Sequence, residues 1–144
     1  AWEGASLNDV ARLTLEPYEP PGGATRVALG GAKVRLGPNA AVTLAMAFHE
    51  LATNAAKYGA LSAPAGRVDV AWTASCGAAE VLEIVWTESG GPPASAPERR
   101  GFGARFLERA LGREFDGEVE LCFAPAGLVC RIRLPLSAKV GVGA

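Results

Sequence analysis

The chain has 144 residues, of which 49% are hydrophobic, enough for one domain with its own core. Its 14 basic and 15 acidic residues leave a net charge of −1, which argues against nucleic-acid binding. The three cysteines are few and far apart, so they predict neither a disulfide framework nor a zinc site and are typical of a cytoplasmic protein. No apolar run reaches the roughly 18 residues of a membrane span, and we expect no membrane contact by this domain.

The first elements follow from capping and turn signals. Ser6 is expected to cap a short helix over residues 7–18, which Pro17 would end. The segments TRVAL and AKVRL flank Gly30 and Gly31, and this pattern predicts a β-hairpin with a two-residue turn.

A long helix is predicted next, from about Ala40 to Tyr58. Pro38 precedes it, where the fixed φ of proline suits a helix start, and Gly59 follows it as a stop signal. Two alternating segments, RVDVAW and VLEIVW, then predict a pair of antiparallel strands.

The second half of the chain begins with residues 89–100, which are rich in glycine, proline and serine and predict a functional loop. ARFLERALGREF predicts a helix, and GEVELCF and LVCRIRLPL predict a closing hairpin. We expect one domain over residues 1–137 and a flexible tail over residues 138–144. Hairpins separated by helices predict an α+β sandwich, with a mixed, mostly antiparallel sheet and helices on one face.

On a helical wheel, Glu50, Asn54 and Lys57 share one narrow stripe beside the apolar arc of the long helix, which predicts the wall of a cleft. An amide oxygen suits Mg²⁺, a lysine suits phosphate, and a carboxylate can order a water or accept a proton. A solvated stripe of side chains is an equally good interpretation of this spacing alone. His49 lies about 100° away on the wheel, and a lone histidine is more typical of packing than of catalysis.

The segment WTESGGP is a second candidate element of the site. Glu88 would accept a hydrogen bond from an adenine amino group, and Gly90 and Gly91 would let a ligand approach the backbone. Taken alone, the segment is better interpreted as a strand followed by an ordinary glycine turn.

The segment GFGARFL is the third candidate element. Two glycines precede a helix whose unpaired N–H groups would bind phosphate, with Arg99, Arg100 or Arg105 nearby. Two glycines before a helix are weak evidence alone, but the order of the three elements strengthens each of them.

This order of motifs resembles that of the HWE family of sensor histidine kinases. HELATNAAKYGALS resembles the N box of the family, and WTESGGP supplies its Trp-x-Glu, where other histidine kinases carry Asp-x-Gly-x-Gly. GFGARFL resembles the second glycine box, and the resemblance extends from WEGASL to the closing GLVCRIRLPL. It implies the Bergerat fold, an α/β sandwich shared with type II topoisomerases.

The resemblance also implies roles for individual residues. Asn54 would coordinate Mg²⁺, Lys57 would contact phosphate, and Glu50 would lie near the γ-phosphate. Glu88 would read the adenine, and residues 89–100 would form a short ATP lid. The other residues expected at the nucleotide or the reacting phosphate are His49, Tyr58, Gly90, Gly91, Arg100, Gly101, Phe102 and Gly103.

By this resemblance, the domain binds Mg·ATP and donates the γ-phosphate to a histidine on a separate phosphoacceptor domain, within a two-component system that includes a response regulator. His49 is the only histidine of the chain and lies inside the ATP-binding motif, so we expect the acceptor elsewhere in a longer parent protein. Two alternatives stay open: a serine kinase of the anti-sigma-factor type, and a non-catalytic module that uses a nucleotide pocket as an interaction surface.

Overall fold

The protein is represented by a computed structural model that describes residues 4–19, 25–75, 80–93, 103–137 and 139–142. Its helices are α1 (Leu7–Leu15), α2 (Pro38–Tyr58) and α3 (Gly103–Phe115), and 3₁₀ turns cover Glu16–Tyr18 and Ala60–Ser62. Its strands are β1 (Ala5–Ser6), β2 (Val27–Gly31), β3 (Val34–Leu36), β4 (Arg67–Ser75), β5 (Val81–Ser89), β6 (Glu118–Ala124), β7 (Gly127–Pro135) and β8 (Val140–Val142).

Within the described residues, a five-stranded sheet in the order β2-β4-β5-β7-β6 forms one layer of the protein. β2 runs parallel to β4, and the other neighbouring strands are antiparallel. The helices form the second layer, in which α2 packs against both α1 and α3. The predicted α+β architecture, with a mixed, mostly antiparallel sheet and helices on one face, is confirmed.

The central strands β4 and β5 have the alternating pattern that the sequence predicts. Val70 and Trp72 in β4, and Ile84 and Trp86 in β5, are buried against the helices. Successive side chains of a strand point to opposite faces of the sheet, so the intervening polar residues lie on the other face. We call this more exposed face the open face.

The helix α1 begins where the sequence places it. The Ser6 side-chain oxygen accepts a hydrogen bond from the backbone N–H of Asp9 at 3.0 Å, which confirms Ser6 as the cap. The α-helix ends at Leu15, and a 3₁₀ turn containing Pro17 continues to Tyr18.

The helix α2 carries the candidate site in its C-terminal half. It begins at Pro38, two residues before the predicted start, and its buried side includes Leu44, Phe48 and Leu51. It has 21 residues, yet no helix in the part of the chain that the structure describes is long and apolar enough to cross a membrane.

The hairpin predicted around Gly30 and Gly31 is wrong. The two glycines are the last residues of β2 and pair in parallel with β4, whereas β3 pairs with β1 and β8 in a separate small sheet. A Cβ on Gly31 would lie 2.4 Å from the Trp72 ring, so this glycine makes room for an indole. Gly31 therefore reflects packing against the neighbouring strand and not a tight turn, whereas a Cβ on Gly30 would meet nothing within 4 Å.

The flexible tail predicted after residue 137 is also wrong for the part that the structure describes. Val140–Val142 form β8, which pairs antiparallel with β3, and Val140 is fully buried. The strand is too short, and too interrupted by glycine, to have a recognisable sequence pattern.

Candidate nucleotide-binding site

Asn54 and Glu50 lie one helical turn apart on α2, and their side chains are in contact. The Asn54 Nδ2 group donates a hydrogen bond to Glu50 Oε2 at 3.1 Å, and Asn54 is 9% exposed. Because Glu50 holds the amide nitrogen, the amide oxygen of Asn54 is the atom left for a cation. A solvated stripe would leave Asn54 exposed, so that interpretation of the spacing is wrong for this residue.

A groove beside this pair lies between α2, α3 and the sheet. The empty space among its lining residues, open solvent included, is about 330 Å³. Glu50 and Asn54 supply its polar lining, and its apolar lining consists of Leu51, Leu107, Val119, Leu121, Phe123 and Leu128. The groove therefore combines a polar end on α2 with an apolar wall.

Three other predicted residues lie on the exposed side of α2. Lys57 is exposed in the last turn of the helix, where the helix dipole also favours a positive charge. Tyr58 is partly exposed beside it. His49 is exposed as well, so its interpretation as a packing histidine is wrong, while a role in catalysis stays a prediction.

Glu88 lies on the helix-facing side of β5 and is 3% exposed. Its Oε1 accepts a hydrogen bond from the backbone N–H of Ala60, and its Oε2 accepts one from the indole N–H of Trp86, both at 3.0 Å. Residues two apart on a strand point to the same face, which is how the Trp-x-Glu motif brings these side chains together. Burial, helped by the nearby Glu88 carboxylate, raises the pKa of the Cys130 thiol on β7 to about 12.

Gly90 and Gly91 follow β5 and pack against the segment after α2. Gly90 has a φ of 74°, and a Cβ on it would lie 2.5 Å from the carbonyl oxygen of Ala65. A Cβ on Gly91 would lie 2.5 Å from the Cα of Ala60. The structure explains both glycines by a close approach of protein backbone, and contact with a ligand stays a prediction.

The chain is similar to histidine kinases over nearly its whole length. It is 38% identical to blue-light-activated histidine kinase 1 of Erythrobacter litoralis over 137 residues, which cover 93% of this chain and 37% of that protein. It is 34% identical to the blue-light-activated histidine kinase of Brucella ovis over 143 residues, 99% of this chain and 29% of that protein. Its fold matches the mycobacterial sensor histidine kinase MprB with a TM-score of 0.66 at 20% identity, over 94% of this chain and 97% of that one. No family model matches the chain.

The chain belongs to the histidine kinase family. The resemblance seen in the motifs is thereby confirmed, and the likeness to MprB confirms the Bergerat-type sandwich. The chain spans about a third of the length of the curated relatives that it matches.

The apolar wall of this histidine kinase domain is the part of the groove that the motifs did not predict. Val119, Leu121 and Phe123 form one half-buried face of β6. Their alternation in GEVELCF indicates a strand with one apolar face. It does not indicate that this face borders the groove, because that depends on β7 pairing between β5 and β6.

The second glycine box of the histidine kinase lies mostly outside the described residues. Gly103 is the first residue of α3, whereas Arg100, Gly101, Phe102 and residues 94–100 of the lid are not described. Phosphate binding at the start of α3 and closure by a lid therefore stay predictions. The same helix borders the groove through Leu107.

The groove of the histidine kinase fits a cation that takes few protein ligands. Among the described residues, no group of three or more His, Cys, Asp or Glu side chains is arranged to hold a metal ion. Mg²⁺ usually takes one or two protein ligands, with waters and substrate phosphates as the others. The amide oxygen of Asn54 fits that requirement, and a site built wholly of protein ligands does not.

Proposed function

We propose that this histidine kinase domain binds Mg·ATP in the groove beside α2 and donates the γ-phosphate to a histidine on a separate domain of its parent protein. The observation that carries the proposal is the Asn54–Glu50 pair at the border of the groove, in which the Asn54 amide oxygen accepts no hydrogen bond from the described residues. Kinship with named histidine kinases supports ATP as the phosphate donor.

Three residues of α2 would have different roles at the phosphate end of the groove. Asn54 would hold Mg²⁺ through its amide oxygen, while Glu50 keeps the amide in that orientation. When bound, the metal ion would offset the charge that spreads over a transferring phosphoryl group, and Lys57 would add a second positive charge. Glu50 would also order a water or accept a proton at the reacting group.

The apolar wall would receive the adenine ring. Leu107 from α3 and Leu121 from β6, together with Leu128, line the apolar side of the groove. The acceptor imidazole supplies its own nucleophilic nitrogen, so this domain mainly positions the nucleotide and stabilises charge. The phosphoryl group would pass from that histidine to a response regulator.

Replacing Asn54 by alanine in the full-length parent protein tests the proposal. We expect Asn54→Ala to lower autophosphorylation at least about a hundredfold, because loss of a metal ligand exceeds the 10- to 100-fold effect of the groups that merely support one. Asn39→Ala is the matched control, since Asn39 is exposed in the first turn of the same helix. We expect the control to keep full activity.

The phosphorylated product distinguishes the acceptor. Phosphohistidine is lost in acid and phosphoserine is not, so an acid-labile product supports the proposal and an acid-stable one contradicts it. Undiminished autophosphorylation of Asn54→Ala, in a variant with the circular dichroism spectrum of the wild type, would rule out the assignment of Asn54 to the metal.

A further inference from the structure

The Glu88 carboxylate is enclosed by the protein's own backbone. A Cβ on Gly59 would lie 2.1 Å from Glu88 Oε1, and Glu88 is 3% exposed. An adenine amino group would have to reach about 3 Å from a carboxylate oxygen to be read by it. Oε1 already accepts the Ala60 N–H and Oε2 the Trp86 indole N–H. Each oxygen could accept a second hydrogen bond, but Glu88 is only 3% exposed, so neither oxygen is open to a further donor from the solvent.

We propose that Glu88 is a positioning residue, which together with Trp86 fixes the segment after α2, in place of the adenine-reading role that the family resemblance implies. We call the Trp86–Glu88 pair the clip and residues 59–66 the junction. The clip acts on the junction through the Ala60 N–H, which Glu88 accepts at 3.0 Å. The consequences for nucleotide binding rest on the proposed function, whereas the contact itself does not.

The junction is held from its other side by a cation. Arg26 Nη2 donates to the Ala60 carbonyl oxygen at 3.3 Å, and Arg26 Nε donates to the Gly66 carbonyl oxygen at 3.0 Å. The carboxylate of Glu19 in turn accepts the backbone N–H of Arg26 at 3.0 Å. Ala60 is therefore bonded through its N–H to an anion and through its carbonyl to a cation, which fixes the peptide groups on both sides of that residue.

The end of α2 depends on this fixed junction. The N–H of Gly59 donates to the Ala55 carbonyl oxygen at 3.0 Å and closes the helix, and the N–H of the next residue is the one that Glu88 accepts. The last carbonyl groups of a helix have no partners within it, and helix ends fray unless they are held. Asn54 lies about one turn before this end, so the clip would keep the metal-binding turn in place.

Trp86→Phe and Glu88→Gln test the clip in the full 144-residue chain. Phenylalanine keeps an aromatic ring but removes the indole donor, and glutamine presents an NH₂ group to one of the two donors that the carboxylate accepts. The matched control is Trp72→Phe. Trp72 is 3% exposed on β4, and its indole N–H donates to the Ala32 carbonyl oxygen at 2.7 Å, away from the junction.

The first measurement is amide hydrogen exchange at Ala60 by NMR, without nucleotide. We expect exchange at Ala60 to be roughly tenfold faster in Trp86→Phe and Glu88→Gln, because local opening sets the exchange rate. In Trp72→Phe, we expect exchange at Ala60 to be unchanged relative to the rest of the sheet. Unchanged exchange at Ala60 in Trp86→Phe would overturn the clip. If Glu88→Gln does not fold, Trp86→Phe still gives the answer.

The second measurement compares the dissociation constants of ATP and of purine riboside triphosphate, which lacks the amino group. A positioning residue predicts that Glu88→Gln and Trp86→Phe weaken both nucleotides by the same factor, about three- to tenfold, and that Trp72→Phe weakens neither. A loss confined to ATP in Glu88→Gln would show direct reading of the amino group and overturn the proposal. A wild-type domain that binds neither nucleotide would defeat the proposed function, while hydrogen exchange at Ala60 would still decide the clip.

Discussion

Two buried tryptophans on neighbouring strands show how differently one residue type is used in this domain. In the Trp72 region, the indole donates to the Ala32 carbonyl oxygen and lies against Gly31. In the Trp86 region, the indole donates to the Glu88 carboxylate, which lies against Gly59. The first contact is neutral and holds the connection between β2 and β3, whereas the second involves a buried carboxylate next to the site helix. A buried carboxylate is costly unless it is fully hydrogen-bonded, so we expect the Trp86 region to be less tolerant of change.

Alanine substitutions at the glycine of each region should give the largest difference. Gly59→Ala would displace the Glu88 carboxylate, and we expect a loss of about 3 kcal/mol or more in the free energy of unfolding, with at least about tenfold weaker ATP binding. Gly31→Ala would displace the Trp72 ring, with a loss of about 1–3 kcal/mol and unchanged ATP binding. Urea unfolding and calorimetric titration measure both quantities.

Gly30 supplies the control for this pair. A Cβ on Gly30 would meet nothing within 4 Å, so Gly30→Ala should be neutral or stabilising by up to about 1 kcal/mol. Equal losses of ATP affinity in Gly31→Ala and Gly59→Ala would remove the distinction between the two regions.

Glu50→Gln tests whether the Glu50 carboxylate takes part in phosphotransfer or only orients Asn54. Glutamine keeps an oxygen that accepts the Asn54 amide, so we expect Mg·ATP affinity to change less than about threefold. Phosphotransfer by the full-length protein should fall roughly a hundredfold if the carboxylate acts on a proton at the reacting group. Glu50→Ala should lower both quantities. A full rate in Glu50→Gln would restrict Glu50 to orienting Asn54.

Cys130 provides a pH test of the Trp86 region. Its folded pKa of about 12 lies above the value of about 8.5 for a free thiol, so folding favours the neutral thiol. The stability that this contributes is complete below about pH 8.5 and is lost toward pH 12, at up to about 1.4 kcal/mol per pH unit. Urea unfolding of Cys130→Ala should therefore show a shallower decline above pH 9 than the wild type. Equal slopes would contradict the raised pKa.

The smallest effect is expected on the open face of the sheet, distant from both tryptophans. Arg133 Nε donates to Glu83 Oε2 at 2.7 Å, and this hydrogen bond raises the pKa of Arg133. Exposed ion pairs contribute little and are screened by salt, so Glu83→Gln should shift the urea midpoint only slightly, and not at all in about 1 M NaCl. A change in ATP affinity would contradict the separation of the two faces.

Local signals predicted the elements of this fold better than their pairing. The Ser6 cap, the α2 helix and the alternating strands β4 and β5 follow from capping chemistry and periodicity within short windows. The pairing of β2 with β4, and of β8 with β3, depends on contacts between residues far apart in the chain. No short window of sequence contains that information.

The candidate site shows the same division between local and distant information. The helical spacing of Glu50 and Asn54 predicted a shared polar stripe beside the core, and the structure joins the two side chains. The hydrogen-bond partners of Glu88 could not be predicted, because its carboxylate contacts Ala60, which is 28 positions earlier in the chain. The type of a residue indicates what its side chain can bind, but the contacts of that side chain in the fold determine whether a ligand can reach it.

Lys139, next to the short strand β8, contacts both of the helices that flank the groove. The Lys139 carbonyl oxygen accepts the N–H of Gly37 at 2.7 Å, where α2 begins, and the Lys139 ammonium lies 5.8 Å from the ring centre of Phe115, where α3 ends. The two helices that flank the groove are thus tethered to each other at the ends farthest from Asn54 and Leu107. A fragment truncated after residue 137 would lose this tether, and its helices would be free to splay apart, although every residue that lines the groove would still be present.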